Sequence, residues 1–128
     1  MATPTMTRTV LIIDDSPTEL AIVSDCVRAA GYHVLAVGGG IMAREYVEAH
    51  AIDLIILDLI LPDISGYSFI RGLHAHNRTS AIPIVVLTSL NSVPQEWYGM
   101  QLGVAAYLKK PLCPQDLLTE IRRLVPLA

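Results

Sequence analysis

Five times along this chain a short apolar run gives way to a stretch with helical spacing, and few folds accommodate that rhythm. Val10-Leu11-Ile12-Ile13 is continuous and rich in β-branched residues, which reads as a strand covered on both faces. Asp14-Asp15 ends it. Ser16-Pro17-Thr18-Glu19 then offers a cap serine, a proline at the first helical position and a glutamate that closes a capping box. The helix so begun is expected to run to Gly31, with Leu20, Val23, Val27 and Ala30 on its buried stripe.

The pattern then repeats. Tyr32 to Val37 reads as a strand, Gly38-Gly39-Gly40 as a flexible turn, and Ile41 to His50 as a helix with Ala43, Tyr46 and Val47 inward. Asp53 to Leu57 is a third strand, Leu61 to Ser65 a loop, and Tyr67 to His76 a helix that turns Phe69, Ile70 and Leu73 to the core. Pro83 introduces a fourth strand, Ile84 to Leu87, followed by a shorter helix over Val93 to Leu102. Ala105 to Leu108 is the fifth strand. The last helix, Pro114 to Leu124, carries Leu117, Leu118, Ile121 and Leu124 on one side. Consecutive parallel strands need a long, right-handed connection, so this alternation predicts an α/β fold, a doubly wound five-stranded parallel sheet.

Composition narrows the class of function. At 128 residues there is room for one domain of ordinary size, expected over residues 8–125 between a flexible lead at 1–7 and a stub at 126–128. Hydrophobic residues make up 52% and charged ones 16%, which suits a sheet covered on both faces and excludes a disordered tail. The apolar runs Val10 to Ile13, Leu54 to Leu57 and Ile84 to Leu87 fall far short of the roughly 20 residues that a membrane-spanning helix needs. Met1 to Thr9 lacks the apolar region of a secretory signal, so a cytoplasmic location with no membrane partner is expected. A formal charge of -3 and only 9 Lys and Arg leave no basic stripe for direct nucleic-acid binding. Cys26 and Cys113 stand at no metal-ligand spacing and are expected as free thiols.

Chemistry gathers where strands end. Ile13 is followed by Asp14 and Asp15, Leu57 by Asp58, Leu87 by Thr88, and the fifth strand by Lys109 and Lys110. Parallel strands bring these ends to one edge, and open α/β sheets bind ligands there, at the crevice where strand order reverses. A single Asp after a strand is more often a turn former or a helix cap. Acid, hydroxyl and base at equivalent ends are not explained by turn chemistry. Clustered carboxylates repel unless a cation sits among them, and hard oxygen ligands suit Mg²⁺, with Mn²⁺ as a substitute. A lysine opposite supplies a point charge for phosphate.

The chain resembles the CheY-like receiver domains of two-component response regulators from Arg8 to Val125. The resemblance rests on Asp14-Asp15, Asp58 followed by Pro62 and Gly66, Thr88, Tyr107 and Lys110-Pro111 in that order. The Asp-Ser-Pro-Thr-Glu-Leu opening and Trp97-Tyr98-Gly99 are similar to the chemotaxis and twitching-motility branch. The resemblance implies a flavodoxin-like sheet of order 2-1-3-4-5. It implies that Asp58 takes a phosphoryl group from a histidine kinase or phosphotransfer protein. Asp15, Asp58 and the main-chain carbonyl of Ile60 would ligate Mg²⁺, with Asp14 acting through water. Lys110 would pair with the phosphoryl group, and Thr88 would move to donate its hydroxyl. Tyr107 would then turn inward. Lys110-Pro111 is expected to be a cis bond. Such a protein catalyses only its own phosphorylation and dephosphorylation, and a downstream target would meet its fourth-helix, fifth-strand and fifth-helix face.

The other candidates separate by geometry. His74 and His76 are two apart and share no helix face, so they make no metal pair, and Lys109 should face solvent. Trp97 and Tyr98 point about 100° apart, so at least one is expected to be exposed, as a partner surface with Met100 and Tyr107 or as plain core packing. Ile60 and Leu90, each two beyond a site residue, replace the polar groups of many relatives and should obstruct an in-line water, prolonging the phosphorylated state. Two alternatives remain in view. A haloacid-dehalogenase-type phosphatase also uses an aspartyl nucleophile, but typically has a second Asp where Ile60 stands. A degenerate receiver could act as an unphosphorylated scaffold, a reading that the set Asp14, Asp15, Asp58, Thr88 and Lys110 opposes.

Overall fold

The computed structural model describes residues 7–90 and 92–127. Residues 1–6 of the lead expected at 1–7 and the last residue of the stub lie outside the described residues. Five strands alternate with five helices: β1 (Thr9–Ile13), α1 (Pro17–Ala29), β2 (His33–Val37), α2 (Gly40–Ala49), β3 (Leu54–Leu57), α3 (Gly66–His74), β4 (Ile84–Thr88), α4 (Val93–Gln101), β5 (Ala106–Lys109) and α5 (Pro114–Leu124). All pairings are parallel, in the order β2-β1-β3-β4-β5. The predicted elements are therefore all present, with ends shifted by one or two residues as fraying termini allow.

The continuous apolar runs are explained by burial on both faces. Along β1, Leu11 and Ile13 point into one core and Val10 and Ile12 into the other; β3 and β4 divide their residues in the same way. The first core receives Ala43, Val47, Phe69, Ile70 and Leu73 from α2 and α3. The second receives Val23, Val27, Leu117 and Ile121 from α1 and α5. Of the residues expected inward, Leu20, Ala30, Tyr46, Leu118 and Leu124 are only partly buried, at the margins of these cores. Among the described residues no helix is long and apolar enough to cross a membrane. Cys26 and Cys113 are free thiols, as expected.

Two local expectations are corrected and a third is sharpened. Gly38-Gly39-Gly40 is not a loose turn: Gly39 caps α2 with no side chain of its own, and Asp63 supplies the missing acceptor. The Gly40 and Ile41 N–H groups each donate to the Asp63 carboxylate at 2.9 Å, which holds its carboxyl below the usual range. Secondly, the capping box is half made. Ser16 Oγ accepts from the Glu19 N–H at 3.3 Å, but the Ser16 N–H donates to Asp14, so the Glu19 carboxylate is free to turn elsewhere. Thirdly, Trp97 and Tyr98 are both exposed, at 62% and 39%. The residue of α4 that is buried is Gly99, whose absent Cβ would lie 2.9 Å from the Tyr107 ring. The helix meets β5 through a glycine, and the bulky neighbours are left outside.

Gly66 matters for a similar reason at the start of α3. A Cβ there would lie 2.6 Å from Leu59 Cα and 2.9 Å from its carbonyl oxygen, and backbone cannot swing aside. Gly66→Ala is expected to destabilise the fold by roughly 2–3 kcal/mol, the range of an overpacked core site, measured by urea denaturation. An unchanged midpoint would show that the β3–α3 loop is less tightly seated.

Candidate functional site

Strand order reverses between β1 and β3: the chain runs from β1 outward to β2, then crosses to β3 on the other side. The crevice this opens holds the site. Main-chain bonds register its rim, with the Asp58 N–H donating to the Ile13 carbonyl at 3.0 Å and the Lys110 N–H to the Thr88 carbonyl at 2.9 Å. From β5's end the Lys110 side chain crosses the edge of the sheet. Its ammonium donates to Asp58 Oδ2 at 2.7 Å, to Asp14 Oδ2 at 2.8 Å and to the Glu19 carboxylate. Asp58 Oδ1 accepts the Thr88 hydroxyl at 2.9 Å and the Ile60 N–H at 3.1 Å. Thr88 Oγ1 accepts in turn from the Leu90 N–H at 3.3 Å, so the hydroxyl proton is directed at Asp58.

The inner part of this cluster is buried, and the whole is unbalanced in charge. Thr88 is fully buried, and Asp14 and Asp58 are only 4% and 5% exposed. Burial pushes the Asp14 carboxyl above its usual range, against the opposing pull of Lys110 and of the Ser16 N–H. Burial would lower the Lys110 pKa, but its bonds to Asp14, Asp58 and Glu19 outweigh that, so the ammonium is held charged. Oxygens of Asp14, Glu19 and Asp58 lie within 4.8 Å of one another. One lysine does not neutralise them.

Of the residues singled out from sequence, Asp14, Asp58, Thr88 and Lys110 come together as described. Asp15 is exposed and stands outside the carboxylate cluster. Glu19, read from sequence as a capping residue, stands inside it. Its position in the first turn of α1, immediately after the β1 acids, was the available signal, and a local capping role explained it equally well. Tyr107 is inward, 9% exposed, with its hydroxyl donating to the Leu90 carbonyl. Burial pushes its phenol up to about 12, with Tyr67, Glu96 and Asp58 adding to the effect. Thr88 donates to Asp58 itself and Tyr107 is already inward. Lys110-Pro111 is cis. Ile60 is 48% exposed at the mouth of the crevice, whereas Leu90 packs partly into the core below it. Lys109 is exposed, as expected, and pairs with Glu96 of α4 at 3.4 Å.

A parallel sheet of this strand order, whose carboxyl edge gathers acids around one lysine, defines the CheY-like receiver class. The family model of the response regulator receiver domain matches residues 10–122, and the chain belongs to that family. Protein PilH of Pseudomonas aeruginosa is 30% identical over 112 residues, covering 88% of this chain and 93% of PilH. The structure of Vibrio cholerae chemotaxis protein CheY4 superposes with a TM-score of 0.87 at 28% identity, over 94% of this chain and all of that one. The receiver domain of a sensor histidine kinase from P. aeruginosa PAO1, solved with a magnesium ion in its active-site cleft, gives 0.84 at 28% identity, over 93% of this chain and 98% of that one. The chain spans about half or less of the length of several other curated relatives that it matches.

The donor set here fits the same ion. Its oxygens are hard, lie within 4.8 Å of one another and carry more negative charge than Lys110 balances, the conditions that favour a small divalent cation. The same imbalance makes a stability prediction. Since burial raises the Asp14 pKa in the fold, its ionised form opposes folding at neutral pH, and the penalty fades as pH falls through that raised value. In metal-free buffer at neutral pH, Asp14→Asn is expected to raise stability by about 1 kcal/mol, and the gain should shrink towards acid pH in thermal melts. A loss of stability would mean that the Asp14–Lys110 pair is net favourable.

Proposed function

We propose that the chain is a phosphorylation switch in which Asp58 accepts a phosphoryl group from a histidine kinase or phosphotransfer protein in a Mg²⁺-dependent reaction. The observation that carries this reading is the convergence of Lys110 and Thr88 on the two oxygens of one buried carboxylate, Asp58, at the end of β3. A carboxylate oxygen of Asp58 attacks phosphorus, the bond to the donor breaks, and an acyl phosphate forms. Asp58, the carbonyl of Ile60 and Asp15, the last turning in from its exposed position, would hold the Mg²⁺ ion, with Asp14 acting through water, and the ion's charge would offset that of the phosphoryl oxygens. Lys110 exchanges one of its carboxylate partners for a phosphoryl oxygen, and Thr88 donates its hydroxyl to another. The Leu90 N–H, which donates to Thr88 Oγ1 and leaves the hydroxyl proton to point at the acid, supports that direction of donation. No residue stands in the place of a second acid two beyond Asp58, where Ile60 is found, which favours self-modification over turnover of external substrates.

The signal is read on α4. Thr88 is linked to Tyr107 through Leu90, whose N–H donates to one hydroxyl and whose carbonyl accepts from the other. Tyr107 in turn lies against Gly99, so a movement of Thr88 is transmitted to the helix above it. Tyr107, only 9% exposed, would act on the partner surface chiefly from beneath. Tyr98 stacks edge-on against Tyr67, with centroids 4.8 Å apart, and accepts from Arg71 at 2.9 Å. Val93, Trp97 and Met100 follow at i, i+4 and i+7 and present a continuous exposed apolar stripe to a downstream target.

Incubation with acetyl phosphate and Mg²⁺ is expected to add one phosphoryl mass to the chain and none to Asp58→Ala, read by intact mass spectrometry. An unmodified wild-type chain would refute the switch. Ile60 is exposed beside Asp58 and Leu90 is bonded to Thr88, so if they obstruct an in-line water, Ile60→Asn with Leu90→Glu should shorten the phosphoryl lifetime roughly 10-fold. An unchanged lifetime would remove obstruction as the explanation. Alanine at Trp97 and Met100 should weaken a downstream target about 10-fold in a binding titration. Unaltered affinity would place the partner elsewhere.

A further inference from the structure

Glu19 stands in the first turn of α1, where a complete capping box would return its carboxylate to the Ser16 N–H. That N–H is already taken by Asp14 Oδ1, at 2.9 Å. The Glu19 carboxylate instead accepts from Lys110, 91 residues away along the chain. It differs from the lysine's other two partners in one respect. The Glu19 side chain is 46% exposed, against 5% for Asp14 and 6% for Asp58. Lys110 therefore sits between an inner pair of acids and one outer acceptor.

A divalent cation held at Asp58, with Asp14 reached through water, competes with the ammonium for the Oδ2 oxygens, because the Oδ1 atoms are already taken by Ser16, Ile60 and Thr88 and two cations repel at contact distance. The lysine has to yield. An ammonium withdrawn into a buried position without a partner would pay a heavy desolvation penalty, which would count against the metal. Glu19 removes that penalty, because it already touches the ammonium and lies on the solvent side. A cavity of about 160 Å³, lined by Glu19, Ile22, Leu87, Lys110 and Pro111 among others, adjoins the pair. It gives the lysine's apolar stem room to move outward with its head on Glu19.

We propose that Glu19 is a positioning residue for Lys110: it takes over the ammonium when a divalent cation claims Asp14 and Asp58, and so eases metal entry. The inference rests on the reading of this pocket as a Mg²⁺-dependent phosphoacceptor site. A double-mutant cycle distinguishes this role from that of a metal ligand or a mere addition to the negative field, because only the proposed role acts through the lysine. Mg²⁺ is titrated calorimetrically into the unphosphorylated chain and its Glu19→Gln, Lys110→Met and doubly substituted forms, each first checked for a cooperative thermal transition. Glu19→Gln is expected to weaken Mg²⁺ binding about 5-fold in the unsubstituted background and less than about 2-fold in the Lys110→Met background. A loss under about 2-fold in the first background, or of that size or more in the second, overturns the proposal. Failure of the unsubstituted chain to bind Mg²⁺ at all overturns the reading of the pocket and the inference with it. Binding that is indifferent to Glu19 overturns the inference alone.

Discussion

One ammonium holds the carboxyl edge of this sheet together. Lys110 reaches from the end of β5 across to Asp58 at the end of β3, Asp14 at the end of β1 and Glu19 in the first turn of α1. Without it, carboxylates from two adjacent strands would face one another in a crevice nearly closed to water, where repulsion is only weakly screened. The arrangement is poised rather than content. The acids exceed the lysine in charge, burial raises the Asp14 pKa, and a phosphoryl group or a metal ion finds partners already in place.

The rest of the fold keeps this edge stiff. The three central strands are buried on both faces, and their side chains are shared alternately between two cores, so no strand can shift register without exposing a full row of apolar residues. Functional groups are attached where these rigid elements end. Two segments lie at their margins: the β3–α3 loop, tied to α2 through Asp63, and α4, which rests on Tyr107 through Gly99. A change at Asp58 therefore starts from a stiff edge and reaches α4 through side-chain contacts. Thr88, Leu90 and Tyr107 form the link between the two by consecutive hydrogen bonds.

The parts legible in the sequence were those decided by local pattern or by strand ends. Runs such as Val10 to Ile13 and Ile84 to Leu87 declared doubly buried strands, and the polar residues after them declared the site, because a parallel sheet allows those ends only one edge. What was illegible depended on contacts between distant segments. Glu19 had a sufficient local explanation, and nothing near it in sequence indicated a lysine 91 residues on. The triglycine looked flexible because the carboxylate that caps it lies in another loop. Trp97 and Tyr98 could not be placed by spacing, since the decisive fact was the small volume of Gly99 against Tyr107.

The central claim is that Asp58, and no other acid of the crevice, carries the phosphoryl group. Reductive trapping tests it most directly, because borohydride converts an aspartyl phosphate to homoserine at the modified position. After phosphorylation by a small-molecule donor, peptide sequencing of the trapped chain is predicted to find homoserine at position 58 alone. Homoserine at position 14 or 15, or reduction of Glu19 in its place, would contradict the account.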